Sequence, residues 1–434
     1  GMLSLPGHAA DPALLDLWQA ARQHAPEQQL AEAERVLAAQ HAAQADALWR
    51  PQVVGTLGAG VGHQRMDLAG ASFSAPGLGS IPSADFEASV SPAMVSRVQV
   101  QAQWPLYHPA RSAQAEQLRQ SGELGALVYA DQQQQLLLVL ATAYYQLALA
   151  QQDSRVLAHE QQSLQAQAAE ARYRFKIGDS PVTDVHDAEA RLAALQARQV
   201  ANQAQISSQR LLLSRLTGRP AAQIQAVLPR QLPAVGAVDA AAPSQTSLTL
   251  QQQQVQLHMA EQQQRQYRPW ADVQVNAVAL YQQDLAQKSG AHSLQSQSML
   301  GVQASIPLYT GGATALKAAE AAAAVRRAEA QLAQTRSQLD QQIQQASLQL
   351  DSLREQQRAL DQAVMASQKH LEATRTGRQV GDRTPQDVLN AEQAVASLQH
   401  QRDQASTQYL LVWLQLAALK GQLNGQVLQQ LSAS

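Results

Sequence analysis

The sequence contains no cysteine, few aromatic residues and little charge, and each shortage excludes a class of protein. Without cysteine, the chain has no disulfide bond, no thiolate metal site and no cysteine nucleophile. Phe, Trp and Tyr make up 4% of the 434 residues. Because aromatic side chains dominate most protein cores, a thick globular core is disfavoured. A net charge of −2 provides no basic stripe for nucleic acid.

A long hydrophobic run is also missing. The best candidate, residues 136–150, is shorter than the roughly 20 residues of a membrane helix and contains Gln146. The chain is therefore either soluble or meets a membrane through β-strands, which hydropathy barely detects. The 11 histidines are scattered, and no phosphate-binding, dinucleotide-binding or zinc-binding motif occurs. We therefore expect no enzyme activity, no cofactor and no metal.

Alanine and glutamine fill the sequence instead, with about 80 and about 75 residues. Both residue types favour helices and have small or flexible side chains. This composition predicts long, thin helices that pack closely against one another.

Self-comparison identifies an internal duplication. Three segments recur in the same order at an offset of about 200 residues, which predicts two tandem structural repeats. The pairs are Trp-Pro-Leu-Tyr at 104–107 with Ile-Pro-Leu-Tyr at 306–309, Gly-Asp at 178–179 with 381–382, and Asp-Val-His-Asp-Ala-Glu at 184–189 with Asp-Val-Leu-Asn-Ala-Glu at 387–392.

Both copies have the same predicted order of elements: helix, strand, loop, strand, very long helix, tight turn and helix. Repeat 1 covers residues 11–228, residues 229–244 form a linker, repeat 2 covers residues 245–424, and residues 425–434 are a tail. The elements of repeat 1 are helix 11–48, strands 52–62 and 94–104, long helix 109–177 and helix 181–217; those of repeat 2 are helix 245–267, strands 270–281 and 297–307, long helix 312–379 and helix 384–420.

Apolar and polar residues alternate along the four predicted strands, which is typical of a sheet with one apolar face. A length of about ten residues suits a tilted membrane-spanning strand. The alternative is the edge of a soluble β-sandwich, but the rest of the chain is helical and supplies no core for it. Four strands cannot close a barrel, and an open edge is not viable in lipid. We therefore expect three chains to contribute twelve strands.

The long helices carry a heptad pattern that predicts coiled-coil packing. A solvated two-stranded coil is the alternative, but it usually carries many flanking charges, and charged residues make up only 15% of this chain. A wall of several helices is therefore favoured. The clearest seam consists of Leu332, Leu339, Ala346, Leu353 and Leu360, with Ile343, Leu350, Val364 and Leu371 four residues further on, interrupted at Gln357.

Three segments have weaker signals. Residues 5–10 are similar to the end of a secretory signal, with a plain disordered terminus as the alternative. We expect the signal peptide itself to be absent from this sequence. Residues 63–92 and 282–296 are expected to be extracellular loops at the strand tips, the first of them mobile.

The chain resembles the TolC-type outer-membrane efflux proteins. The resemblance rests on the tandem copies, the Pro-Leu-Tyr strand endings at 105–107 and 307–309, and the turn at 380–392, and it covers nearly the whole chain. It implies an α+β membrane protein: a homotrimer with a twelve-stranded β-barrel, four strands per chain, in the outer membrane of a Gram-negative bacterium. A long α-helical coiled-coil tunnel would continue the barrel through the periplasm.

The resemblance further implies a passive exit duct of a tripartite efflux or type I secretion system, which carries drugs or proteins. The partners would be a periplasmic adaptor protein, an inner-membrane pump driven by protons or ATP, and outer-membrane lipid. A soluble periplasmic coiled-coil scaffold or adaptor is the alternative function. An adaptor would be expected to have one hairpin and separate β-domains, so the duplication favours the duct.

Residue roles at the helical turns also follow from the resemblance. Thr183, Asp184 and Arg383 match a polar lock that closes the periplasmic tip. Arg378 stands at a lock position where secretion-type members commonly have a tyrosine, so we expect it to pair with Asp179 or Asp187. For Asp184 the alternative role is an ordinary one, since a carboxylate is favourable in the first turn of a helix.

A second group of residues is expected to line the pore or meet the adaptor. Asp387 matches a lumen-facing acidic ring, and three such carboxylates around a narrow axis repel one another unless they are solvated or bind a cation. Asn390 stands where secretion-type members have a second acidic ring, so cation binding in the pore should be weaker than in those members. The adaptor contacts implied at the tips are Gly178, Asp179, Gly381 and Asp382.

Aromatic residues gather near the predicted strand ends. They suit a membrane-interface belt, and packing at the helix-to-strand joint is an equally good explanation. The residues are Trp49, Trp104, Tyr107, Trp270 and Tyr309.

Overall fold

The computed structural model describes residues 12–77, 79–229, 231–233, 246–288 and 290–428. Long helices alternate with two β-hairpins along these ranges. The elements are α1 (Pro12–His24), α2 (Pro26–Ala47), β1 (Gln52–Ala75), β2 (Gly79–Tyr107), α3 (Pro109–Lys176), α4 (Val182–Thr217), α5 (Leu248–Arg265), β3 (Gln274–Lys288), β4 (Ala291–Ser305), α6 (Ala313–Gln379) and α7 (Pro385–Leu419).

The chain divides into two compact units. The helical unit combines residues 1–39, 123–256 and 328–434, and the sheet unit combines residues 40–122 and 257–327. The expected signal at residues 5–10 and most of the predicted linker 229–244 and tail 425–434 lie outside the described residues.

The sheet unit contains one antiparallel sheet in the order β1-β2-β3-β4. Its register aligns Leu57 with Val98, Val100 with Tyr281, and Ala279 with Leu300. The apolar series that the sequence predicted on separate strands therefore share one face, as expected. Many of these side chains are exposed, with Leu57 at 81% and Leu300 at 86%.

The strands are longer than predicted, and the two expected tip loops are wrong. Within the first loop range β1 and β2 stay paired from Gln64–Val90 to Ala75–Gly79, and within the second β3 and β4 stay paired from Gln282–Gln297 to Lys288–Ala291. Each added pair satisfies backbone hydrogen bonds, and register shifts after Gly62 and Leu68 accommodate the irregular residues in between. The start of strand 270–281 is also corrected, because residues 269–272 form a turn and β3 begins at Gln274.

The predicted first helix, 11–48, is two helices separated at Ala25. Pro26 begins α2 and has no N–H to donate, and its ring would clash with the preceding turn of a continuous helix. The amide of Ala25 still donates to Ala21 O at 2.9 Å, so α1 is complete up to the break.

The helical unit has a core formed by α1, α3, α4, α6 and α7. The apolar run 136–150 lies inside it, so its hydrophobicity serves helix packing. None of the described helices contains a stretch sufficiently long and apolar to span a lipid bilayer. The largest side chains of this core with almost no exposure include Trp413, Tyr144, Tyr409, Leu137, Leu140, Leu147, Leu213 and Leu216.

The heptad seam of α6 is confirmed as its packing face. Leu339, Ala346, Leu350, Leu353 and Val364 are all buried, and the residues between them are mostly exposed. Gln357, where the pattern is interrupted, is half-buried on the same stripe. The 68 residues of α3 correspond to about 100 Å of helix.

Candidate functional site

Two helical turns of the same construction lie in the helical unit, between α3 and α4 and between α6 and α7. Gly178 and Gly381 have φ values of 79° and 81°, which a residue with a Cβ rarely adopts. The next amide closes each helix, because Asp179 N–H donates to Arg174 O and Asp382 N–H donates to Gly377 O, both at 2.8 Å.

The helices that follow these turns begin differently. Pro181 precedes α4 and offers no side-chain cap, whereas Thr384 and Asp387 form a capping box at α7. Asp387 N–H donates to Thr384 Oγ1 at 3.2 Å, and Thr384 N–H donates to Asp387 Oδ2 at 2.9 Å. Hydrogen bonds from the Thr384 backbone and hydroxyl, with the nearby Arg383 charge, hold the pKa of Asp387 below its usual value.

Residues of both hairpins line a polar cavity of about 430 Å³. Gln386 of α7 faces Arg191 of α4, and with its amide oxygen turned towards the guanidinium it accepts hydrogen bonds at 2.8 and 3.0 Å. The other charged residues around the cavity are Glu170, Arg174, Asp184 and Asp187. The site therefore combines three carboxylates with two guanidiniums at the junction of the hairpins.

The predicted lock residues occupy this region in part. Asp184 lines the cavity from the first turn of α4, where its amide donates to Pro181 O at 3.2 Å. Thr183 is exposed beside it. The side chain of Arg383 lies against Gly377, where an added Cβ would be 2.8 Å from Arg383 Cγ. Asn390 is exposed one turn beyond Gln386.

Within one chain Arg378 and Asp179 have other partners, and the pairing of Arg378 with Asp179 or Asp187 stays a prediction. Asp179 pairs with Arg174 of its own turn at 2.9 Å, and Arg378 approaches Glu170 at 3.9 Å. Arg174 and Asp179 are five residues apart at the C-terminal end of α3, and the local turn brings their side chains together.

The sequence predictions did not include an arginine–glutamate ion pair that occurs once in each hairpin. Arg172 binds Glu189 at 2.8 Å, and Arg375 binds Glu392 at 2.7 Å. The two pairs lie at matching positions of the two hairpins, with the same separation of 17 residues. That repeated spacing was the available signal.

Glu392 also connects its hairpin to α3. The hydroxyl of Ser163 donates to it at 2.9 Å. Burial by itself would raise the pKa of Glu392, but the hydrogen bonds from Arg375 and Ser163 outweigh it, and the pKa lies below its ordinary value.

The predicted aromatic group lies in the sheet unit and its adjoining turns. Trp104 Nε1 donates to the carbonyl of Trp49 at 3.0 Å, which connects the C-terminal part of β2 to the turn between α2 and β1. Tyr107 ends β2 and Tyr309 follows β4, and both are exposed. Trp270 has a φ of 66°, unusual for a bulky side chain, and is 73% exposed.

Comparisons with known proteins identify the family. The family model described as outer membrane efflux protein matches residues 17–219 and 244–422. The Outer membrane protein TolC of Vibrio cholerae is 25% identical over 326 residues, which cover 70% of this chain and 72% of that protein. The Proteases secretion protein PrtF of Dickeya chrysanthemi is 26% identical over 329 residues, 70% and 68% of the two chains.

Solved structures show the same fold. The outer membrane protein VceC from Vibrio cholerae has a TM-score of 0.71 at 20% identity, covering 94% of this chain and 95% of that one. The Campylobacter jejuni CmeC outer membrane channel has a TM-score of 0.73 at 13% identity, with 97% and 89% coverage. The family match extends over both repeats, and the chain belongs to the outer membrane efflux protein family.

Proposed function

We propose that three copies of this chain form a passive exit duct through the outer membrane of a Gram-negative bacterium. The strands of three sheet units would close a twelve-stranded barrel, and the helical units would form a periplasmic tunnel. The observation that carries this proposal is the sheet itself, whose four strands place exposed apolar residues on one face. Lipid would cover that face, and a closed ring would remove the unpaired edges of β1 and β4.

The duct would serve a tripartite efflux or type I secretion system, receiving drugs or proteins from an inner-membrane pump through an adaptor. Relatives of this chain include proteins named for protease secretion in Dickeya chrysanthemi and Pseudomonas aeruginosa. The adaptor would contact the tip residues, which are exposed at the two turns: Gly178, Asp179, Gly381 and Asp382.

The duct would close where the two turns meet. Asp184 lies beside the cavity that both hairpins line, and Arg383 precedes Thr384 of the same cavity. With Thr183 and Arg378 they would form contacts between hairpins of neighbouring chains. Such exposed pairs contribute about 0.2–1 kcal/mol each, which suits a gate that must open. Asp387 and Asn390 would face the lumen just above, with Asp387 also capping α7.

The test uses two neighbouring residues that face opposite sides of β1. Leu57→Arg places a charge on the apolar face, where lipid contact should cost about 2–4 kcal/mol and prevent assembly. Thr56→Arg places the same charge on the other face and should be tolerated. Detergent-extracted protein would be crosslinked to count subunits, and then reconstituted into planar bilayers to record ion conductance.

If the chain forms the duct, the wild type is a trimer that needs detergent and conducts ions. Thr56→Arg should still form a conducting trimer, and Leu57→Arg should not. A wild-type monomer that stays in solution without detergent would instead support a periplasmic scaffold. Equal tolerance of both variants would contradict lipid contact at this face.

A further inference from the structure

The part of the sheet where all four strands run side by side contains a single pair of fixed charges. Residues 52–62, 94–107, 274–287 and 291–305 include one arginine, Arg97, one aspartate, Asp284, and no lysine or glutamate. Elsewhere this region is built from apolar residues, glutamine, serine and glycine, with Thr56, Asn276 and His292 as the other polar residues. A charge pair in such surroundings calls for an explanation.

Arg97 and Asp284 bind each other directly across β2 and β3. They are opposite in the register, with Arg97 Nε donating to Asp284 Oδ1 at 2.8 Å and the guanidinium Nη2 donating to Oδ2 at 3.3 Å. Gln282 Nε2 donates to the same Oδ2 at 2.8 Å. The Asp284 side chain is 14% exposed and that of Arg97 52%. The carboxylate is therefore fully engaged, and the guanidinium covers it.

The pair lies on the polar face of the sheet. Strand neighbours on one face alternate, so Gln99 and Gln282 share the face of Arg97 and Asp284, and Gln295 is opposite Asp284 on β4. The apolar series that includes Leu57, Val98 and Leu300 is on the other side. If lipid covers the apolar face, as the proposed function requires, then the pair faces the lumen.

We propose that Arg97 and Asp284 keep the strand-lined part of the duct free of ion selectivity, because each charge of the pair cancels the effect of the other. Three copies would place three guanidiniums and three carboxylates at one level of the lumen, bound in pairs that cancel. The lumen there would carry no net charge and favour neither cations nor anions. Breaking each pair on one side would leave three like charges around the pore, which attract ions of the opposite sign.

The experiment measures the ratio of cation to anion permeability of reconstituted channels under a salt gradient. A mean ionic strength near 10 mM is suitable, because the Debye length is then about 30 Å and the charges act across the lumen. Asp284→Asn should shift the ratio towards anions and Arg97→Gln towards cations, each by at least about twofold. The double variant Arg97→Gln/Asp284→Asn should return to the wild-type ratio, because it has no charge at this level.

Two further variants keep the test decisive. Glu32→Gln breaks an exposed arginine–carboxylate pair on α2 in the helical unit and should leave the ratio unchanged. Gln99→Asp adds a carboxylate on the polar face without breaking the Arg97–Asp284 pair, and it should shift the ratio towards cations even if the single charge deletions fail to assemble.

The outcomes separate this inference from the proposed function. A wild-type protein that forms no channel would overturn the proposed function. Channels whose permeability ratio is unchanged in Asp284→Asn, Arg97→Gln and Gln99→Asp would overturn the selectivity role, leaving the pair as a fixer of strand register. Shifts of the same sign in both single deletions would also overturn it, because opposite charges must act in opposite directions.

Discussion

At the residue scale, two identical ion pairs differ in their surroundings. Arg375–Glu392 and Arg172–Glu189 occupy matching positions in the two hairpins, but the Glu392 side chain is 22% exposed and that of Glu189 is 44%. Only Glu392 accepts an additional hydrogen bond from another helix, from Ser163 of α3. Water screens an exposed pair more strongly, so the duplicated contact should stabilise repeat 2 more than repeat 1.

Glu392→Gln should therefore loosen the α6–α7 hairpin, with a cost of about 1 kcal/mol. Glu189→Gln is the matched control and should have a smaller effect. The measurement is hydrogen exchange, corrected for intrinsic rates, of peptides from α6 and α7 for Glu392→Gln and from α3 and α4 for Glu189→Gln. Equal loss of protection in both variants would show that the lower exposure of Glu392 does not strengthen its ion pair.

The stability that Glu392 gives the α6–α7 hairpin should depend on pH. The pKa of Glu392 in the folded protein lies below its ordinary value of about 4.5. Its contribution is therefore present above the ordinary value and is lost as the pH falls through the lowered folded pKa. The difference in protection between the wild type and Glu392→Gln should thus be seen at pH 7 and shrink as the pH falls below the ordinary pKa of 4.5. A difference that grows on acidification would reverse the assigned sign.

At the element scale, a glycine in the N-terminal quarter of α3 permits a close approach of α2. A Cβ added at Gly125 would lie 2.1 Å from the Cβ of Ala38, a distance that real atoms do not reach. Glycine costs about 1 kcal/mol relative to alanine inside a helix. Its presence here is explained by the space that Ala38 takes.

Gly125→Ala should consequently destabilise the protein in spite of the better helix propensity. Overpacking typically costs about 1–3 kcal/mol, so a net loss of about 1–2 kcal/mol is expected. Thermal unfolding of the detergent-solubilised protein, followed by far-UV circular dichroism, measures this loss. Gly125→Ala/Ala38→Gly restores the space and should melt above the single variant. A single variant at least as stable as the wild type would refute the steric explanation.

The elements also show which features a single sequence can predict. The heptads of α6 and the alternating strands follow one period each, so their buried or apolar faces were predicted. The close contact of Gly125 with Ala38 depends on residues far apart in the chain, and no local pattern indicates it. The long β1–β2 hairpin was missed because its glycines and prolines suggested a loop, while the cross-strand pairing that orders its backbone is not local.

At the scale of the whole molecule, the duplication gives each chain two similar hairpins whose turns are not equivalent. Thr384 and Asp387 cap α7, whereas α4 begins after Pro181 without a side-chain cap. The sequence Thr-x-x-Asp at 384–387 is a signal for this capping box, whereas the pore role of Asp387 follows from the resemblance alone. The Arg191–Gln386 contact between the hairpins was not predictable, because it depends on how α4 and α7 pack.

This asymmetry sharpens the prediction for the proposed gate. Pro181 at the N-cap of α4 has no N–H that the Asp184 carboxylate could accept from, so a capping box like that of α7 does not occupy this carboxylate. Asp184→Ala/Arg383→Ala should raise single-channel conductance in planar bilayers, because two weak polar contacts per chain no longer hold the turns together. Asp179→Ala removes a carboxylate from the same turn that pairs with Arg174 inside it, and its conductance should stay at the wild-type value. Unchanged conductance in the double variant would contradict the lock assignment. A higher conductance in Asp179→Ala as well would mean that any loosening of the turn opens the duct.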